Sequence, residues 1–243
     1  MSGNHPISGG RHRVEHLKSS GNRKISSTRW LQRQVNDPFV REAKIKGYRS
    51  RAAFKIMEID QSYKIFRRGS RVMDLGSAPG GWSQVAVSRA GHGNVFALDV
   101  VEMEPLDGVE FVRLDFLRDD AEANLTAKIG DTKFDVVMSD LAPNTSGDPR
   151  TDHMRILGLV EQAIHFTLEI LKDGGTFVAK IFHGREEHRL VSNLRRYFER
   201  VDYFKPQSSR SDSSEIYIVA QRLQANRLAP KHSDSSENPD SHC

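Results

Sequence analysis

The run "FVAKIF" sets Lys180 among Val178, Ala179, Ile181 and Phe182. A charged lysine is costly to bury without a partner. Burial lowers its pKa and nearby carboxylates raise it, so an amine held between acids is tuned towards base chemistry. Asp140, which closes "FDVVMSD", and Glu215, in "SEIYIVAQRL", are acids at the ends of other apolar runs, and Lys55 in "SRAAFKI" supplies a second amine on a basic amphipathic segment. Two amines and two carboxylates suit general acid–base chemistry. A lysine snorkelling from an edge strand is the simpler alternative for Lys180 taken alone.

A second constellation lies upstream. "VMDLGSAPGGWSQ" is a strand, a glycine-rich turn and a helix start, in which Gly76, Gly80 and Gly81 let backbone approach a ligand and Pro79 stiffens the turn. The turn is not G-x-G-x-x-G, which argues against a dinucleotide and hence a dehydrogenase. No Lys-Ser/Thr follows it as in a phosphate-binding loop. Asp99 ends the next strand, where an acid accepts ribose hydroxyls, and Asp115 ends the third, where it meets an adenine edge. Asp140 completes a row of three acids at strand ends. An acidic cleft of this kind suits a nucleoside carrying positive charge, and S-adenosylmethionine is the candidate.

These residues need a scaffold that gathers strand ends. "RVMDLG" (71–76), "NVFALDV" (94–100), "EFVRLD" (110–115), "FDVVMSD" (134–140) and "TFVAKIF" (176–182) are short apolar runs ending in an acid, a glycine or Phe182, as buried parallel strands do. Two further strands are expected near "RVDYFKP" and "SEIYIVAQRL". Helical patterns fall near 81–90, 119–129, 152–171 and 187–198. In the third of these Leu157, Val160, Ile164, Leu168 and Leu171 form one stripe, and "KDGG" is expected to stop it. Upstream, "STRWLQRQVNDPFVREAKIKGYRSRAAFKIMEIDQSYKIF" reads as helical, with Phe54, Met57, Ile59, Ile65 and Phe66 apolar. Alternation of strands and helices predicts an α/β doubly wound parallel sheet with its ligands at the carboxyl ends of the strands.

The chain has 243 residues and a net charge of +4, with 37% hydrophobic and 28% charged residues, a size for one catalytic domain with tails. The charge is uneven: through Lys55 there are 13 Lys and Arg against three acids, and the rest carries −6. A basic arm on an acidic body is an electrostatic footprint for a phosphate backbone. RNA contact is expected from Ser26 to Lys55, with Arg49, Arg51 and Lys55 on phosphates. Residues 1–26 are expected to be a disordered leader, 27–223 the domain and 224–243 a polar disordered tail. Trp30 offers stacking, while Phe39 is expected in the core. Cys243 is the only cysteine, and the ten histidines show no metal spacing, so neither a disulfide nor a metal is expected. With no run of 18 apolar residues and no signal-peptide core, a cytoplasmic protein without membrane contact is expected.

From Ser27 to Leu223 the chain resembles the bacterial FtsJ/RrmJ (RlmE) family of ribosomal RNA 2′-O-ribose methyltransferases. "DLGSAPGGWSQ", "SDLAPNTSG", "VAKIF" and "KPQSSRSDSSEIYIVA" look like that family's motifs, in order. The resemblance implies a Rossmann-like class I S-adenosylmethionine-dependent methyltransferase, a mostly parallel seven-stranded sheet with helices on both faces and an antiparallel last strand. It implies a Lys-Asp-Lys-Glu tetrad at Lys55, Asp140, Lys180 and Glu215, and methyl-donor contacts at Gly76, Gly80, Gly81, Trp82, Asp99, Asp115 and Asp140. It also implies a substrate, a uridine in the A loop of 23S rRNA within the large ribosomal subunit, for an enzyme expected to act as a monomer. Transfer RNA or an mRNA cap as acceptor, and a non-catalytic RNA-binding assembly factor, are the competing readings. The chain departs from the family pattern in its longer leader and in "FHGREEHR" after Lys180.

Overall fold

The computed structural model describes residues 31, 32, 34–116, 118, 120–142, 148–182 and 187–228. The expected leader, Trp30, residues 183–186 of "FHGREEHR" and the tail from 229 lie outside the described residues. The elements in chain order are α1 (Pro38–Ile45), α2 (Ala52–Tyr63), β1 (Val72–Leu75), α3 (Gly81–Ala90), β2 (Val95–Asp99), β3 (Val109–Arg113), α4 (Ala121–Ile129), β4 (Phe134–Ser139), α5 (Pro149–Ile170), β5 (Leu171–Phe182), α6 (Glu187–Leu194), β6 (Phe198–Phe204) and β7 (Glu215–Leu223). The seven strands form one sheet in the order β3-β2-β1-β4-β5-β7-β6. β1 to β5 pair in parallel, whereas β7 runs antiparallel to both β5 and β6. The seven strands and the antiparallel last one are as expected.

Alternation along each strand divides the core in two. Met73, Leu75, Val137, Phe177, Ala179 and Ile181 face the side covered by α4, α5 and α6. Val72, Val136, Met138, Val178, Tyr217 and Val219 face α2 and α3. Both faces are thereby covered, which is why the central strands read as unbroken apolar runs. On the first side Phe134, Phe166 and Phe177 are solvent-free, with edge contacts from Phe96 to Phe134 and from Phe116 to Phe166. Truncating such a ring to Ala costs about 3–5 kcal/mol. The second side carries the candidate site residues: with a period of two, Asp74, Asp140, Lys180, Glu215 and Tyr217 all fall on the face that Lys55 of α2 approaches.

α6 stops at Leu194, and Phe198, expected in that helix, opens β6 instead; two larger differences from the sequence reading concern the N-terminal segment and "KDGG". The basic N-terminal segment is broken rather than one continuous helix: among the described residues the helical stretch before Asp37, α1 and α2 are separate. α1 starts at Pro38 behind Asp37, whose carboxylate caps the Phe39 N–H at 3.0 Å, and it ends at Lys46. Gly47 at φ +74° turns the chain, with Tyr48 N–H donating to the Ala43 carbonyl and Gly47 N–H to that of Lys44. That is a Schellman stop, for which a glycine in the left-handed region is the natural residue. Phe39 is half-buried and packs its ring 5.6 Å from that of Phe54.

The second difference is "KDGG". α5 ends at Ile170 without it, and Leu171 already pairs with Phe134 of β4. The four residues instead form an irregularity inside β5, where the register with β4 shifts. There Lys172 pairs with Asp135 at 2.9 Å, and Asp173 accepts from the Ala225 N–H just beyond β7. The helix-stop signal is local, whereas these polar partners come from distant parts of the chain and decide the outcome.

Gly76 links fold and site. It sits at φ +81° after β1, and a Cβ there would stand 2.9 Å from the Leu141 nitrogen beyond β4. Gly76→Ala is expected to lose at least about 1–3 kcal/mol from the backbone conformation alone. A urea unfolding midpoint equal to wild type would contradict this close approach.

Candidate active site

The strand ends bring the four residues expected from sequence into one row. Lys180, from β5, has 9% of its side chain exposed and holds Asp140 twice: Nζ lies 2.7 Å from Oδ1 and donates to the Asp140 carbonyl at 2.8 Å. Asp140 directly follows β4, so the bond ties adjacent parallel strands at their carboxyl ends. Lys55 Nζ lies 2.6 Å from Glu215 Oε1, with side-chain exposures of 12% and 14%. That oxygen also accepts from the Ser209 hydroxyl at 2.9 Å. Burial pushes the Glu215 carboxyl up, but the charge and hydrogen bond of Lys55, the Ser209 hydroxyl and the charge of Lys180 outweigh it and hold it below its ordinary value.

Tyr217 stands between the two pairs, and the sequence reading did not single it out. In the antiparallel β5–β7 ladder Lys180 is directly opposite Tyr217, and Glu215 lies two residues along on the same face. Lys55 Nζ is 5.8 Å from the Tyr217 ring centroid, within cation–π range. The phenol is solvent-free and its hydroxyl has no hydrogen-bond partner among the described residues. Burial, reinforced by the charges of Asp140 and Glu215, pushes it well above its ordinary value, so it stays a neutral phenol. Its position two residues after Glu215 was the available signal.

The glycine turn opens on a cavity of about 300 Å³ at the carboxyl ends of β1, β2 and β3. Its walls include Gly76, Leu98, Asp99, Asp115, Phe116 and Leu141. Asp99 holds the turn in place: Oδ2 accepts from the Ala78 N–H at 2.9 Å and Oδ1 from the Val101 N–H at 2.8 Å. Each oxygen keeps a lone pair for a further donor. Gly80, Gly81, Trp82 and Asp140 stand around this cavity rather than in its lining. Trp82 is 2% exposed, donates its indole N–H to the Ala52 carbonyl at 2.9 Å and packs 5.7 Å from the Tyr217 ring. A Cβ at Gly81 would meet Ser50 Oγ at 2.3 Å, so that glycine lets the N-terminal segment approach the turn.

The cations of the basic segment that are expected on phosphates also have partners inside the protein. Arg49 donates to the backbone carbonyls of Glu104 at 2.6 Å, Pro105 at 2.7 Å and Pro79 at 3.3 Å. Its own N–H donates to Gln84 Oε1 at 2.7 Å, and Gln84 Nε2 donates to the Gly47 carbonyl at 3.0 Å. Residues 47–53 are thus stitched to the glycine turn. Arg51 donates to Asp37 and to the Ser208 carbonyl, and Lys55 is held by Glu215. All three cations serve internal partners, because the folded chain presents carbonyls and carboxylates that the sequence order does not reveal.

Asp74 is the other residue the sequence reading passed over. It lies inside β1 and is solvent-free; Oδ2 accepts from the Ser83 hydroxyl at 2.6 Å, and Oδ1 has no partner among the described residues. An acid inside the apolar run "VMDL" was the signal. Burial pushes its carboxyl up to about 7 against the pull of the Ser83 hydroxyl, and the Asp140 and Asp99 charges reinforce the rise.

The FtsJ-like methyltransferase model matches residues 48–223. Ribosomal RNA large subunit methyltransferase E of Paramagnetospirillum magneticum is 49% identical over 225 residues, covering 90% of this chain and 92% of that protein. Its counterpart of the same name in Rhodopseudomonas palustris strain BisB18 is 52% identical over 215 residues, covering 87% and 90%. Among solved structures, a Plasmodium falciparum protein described as a ribosomal RNA methyltransferase matches with a TM-score of 0.64 and 28% identity, over 72% of this chain and 98% of that one. A Lactococcus lactis protein described as a hemolysin, at 16% identity and a TM-score of 0.54, shares the fold alone over 73% of this chain and 89% of that one.

Between pH 4 and 7 folded Asp74 keeps a proton that the unfolded chain, near the ordinary 3.8, has released. The folded form therefore loses ground as pH rises through this window, by about 1.4 kcal/mol per unit, and the loss stops near 7. Asp74→Asn is expected to lack this slope and to gain on wild type towards pH 7. Parallel stability profiles from urea unfolding between pH 4 and 7 would refute it.

Proposed function

Because the chain belongs to the FtsJ-like methyltransferase family, we propose that this methyltransferase modifies the ribose 2′-hydroxyl of a uridine in the A loop of 23S rRNA, in the large ribosomal subunit. The reading rests above all on one observation: two buried lysine–carboxylate pairs flank Tyr217 beside the glycine-turn cavity. The names of the relatives support the large-subunit RNA as acceptor. Among the described residues no helix is long and apolar enough to cross a membrane. We extend the proposal to a cytoplasmic monomer.

The methyl donor of the reading is S-adenosylmethionine, and the cavity fits it. Leu98, Phe116 and Leu141 offer apolar walls for a purine, and Asp99 and Asp115 offer acceptors for ribose hydroxyls and a base edge. Two carboxylates, Asp99 and Asp115, outnumber the one cation on the walls, Arg155, which suits a positively charged ligand better than a polyphosphate. When bound, S-adenosylmethionine supplies an electrophilic methyl group on a sulfonium.

In this reading Gly76 and Gly80 give the donor close access to backbone, and Asp140 fixes Lys180 Nζ by its carboxylate and its carbonyl. Lys180 meets the acceptor hydroxyl. Neutral, it accepts the hydroxyl proton; protonated, it holds the developing alkoxide while the hydroxyl proton leaves to water. Glu215 and Lys55 orient the hydroxyl from the other side of Tyr217. Trp82 supports Tyr217 from behind, and Gly81 admits Ser50 to the turn. Much of the rate comes from aligning donor and acceptor.

Labelled methyl transfer from S-adenosylmethionine to undermethylated large subunits, free rRNA and tRNA tests this directly. Label on a uridine 2′-oxygen of the subunit is expected, with kcat lowered about 10²–10⁴-fold in Lys180→Ala and donor affinity by calorimetry unchanged. Near-wild-type turnover in that variant would remove Lys180 from the chemistry, and label in tRNA alone would overturn the acceptor. Arg49→Ala is expected to weaken donor binding severalfold without altering the salt dependence of RNA binding. An Arg49→Ala protein with wild-type donor affinity and a shallower salt dependence would return Arg49 to a phosphate contact.

A further inference from the structure

Next to the Lys55–Glu215 pair, away from the glycine turn, lies a second cavity of about 280 Å³. Arg51, Lys55 and Arg210 line it with Asp212, Ser213 and Glu215. Its two guanidinium groups converge on one carboxylate: Asp37 Oδ2 accepts from Arg51 and, at 3.1 Å, from Arg210 Nε. Asp37 is 8% exposed and also caps α1, so it is fixed in place. Arg51 is fixed as well, donating to the Ser208 carbonyl in a loop that Glu58 holds through the N–H groups of Gln207 and Ser208.

The cluster has more donors than acceptors. Arg51 Nε and Arg210 Nη2 are buried and have no partner among the described residues. Two guanidinium charges share a single buried carboxylate, while Lys55 is taken by Glu215. Asp212 lines the exposed rim of the cavity. Unsatisfied buried donors are costly, and an anion with several acceptor oxygens removes that cost.

We propose that this cavity is a phosphodiester subsite, in which Arg51 and Arg210 grip a phosphate flanking the acceptor ribose and so set the 2′-hydroxyl against Lys55, Glu215 and Lys180. The proposal rests on the RNA-acceptor reading above. It assigns Arg210, on the loop before β7, a part that the charge pattern of the N-terminal arm does not suggest. With a phosphate oxygen in the cavity, a small side-chain rotation gives both orphaned N–H groups an acceptor.

The test uses full-length Arg210→Gln and Arg210→Lys. Binding of a large-subunit rRNA fragment is followed across a salt series, beside steady-state methylation of undermethylated large subunits and donor affinity. For Arg210→Gln the slope of log affinity against log salt is expected to become shallower by about one. KM for subunits is expected to rise about tenfold with donor affinity unchanged. Arg210→Lys keeps the slope but recovers only part of the affinity, since an ammonium lacks the guanidinium's paired donors. An unchanged slope and KM in Arg210→Gln would overturn the subsite, as would equal losses of RNA and donor affinity, which mark a structural role. If the wild type binds RNA but methylates none, the acceptor reading fails while the slopes still judge the subsite.

Discussion

A lysine amine inside a parallel sheet is the constraint around which the rest of the molecule is arranged. Lys180 is nearly solvent-free between β4 and β7, and a charge there survives only with a partner at contact distance. Asp140 provides it with both its carboxylate and its carbonyl, and that requires β4 to end where β5 still continues. Removing one member of such a pair strands the other, a penalty of about 3–5 kcal/mol in known cases. The β4–β5 register, the close approach of Gly76 to Leu141 and the turn out of β1 all hold Asp140 at that height.

A second arrangement surrounds the first. The antiparallel β7 brings Tyr217 opposite Lys180 and Glu215 one step further along the same face. Glu215 then needs a cation of its own, and α2 delivers Lys55. The two amines are thus separated by an aromatic ring, each with its own carboxylate. That separation gives the row two distinguishable ends, one beside the glycine-turn cavity and one beside the Arg51–Arg210 cluster.

The stretch from Arg49 into the first turn of α2 ties these parts together. Arg49, Ser50 and Ala52 meet the glycine turn, Arg51 meets the loop before β7, and Lys55 meets Glu215. One short stretch of chain therefore meets the glycine turn and lines the Arg51–Arg210 cavity. Arg49, Arg51 and Lys55 also act as internal fasteners, so the stretch from Arg49 to Lys55 is part of the folded domain.

Strand and helix order, the doubly wound class and the four residues that meet at the strand ends were legible in the sequence. Apolar run length, terminal acids and a lysine among aliphatics are local signals that burial on both sheet faces imposes. The stop expected of "KDGG" was not kept, because Lys172 and Asp173 found partners far away in sequence. Tyr217 and Asp74 were equally hidden, since an aromatic or an acid inside a strand shows its chemistry only once its neighbours across the sheet are known. Which residues exist to do chemistry was fixed by the chain's own order of types. Which cation meets which acid was decided by tertiary structure alone, because ion pairing depends on distances of a few ångströms between residues scores of positions apart.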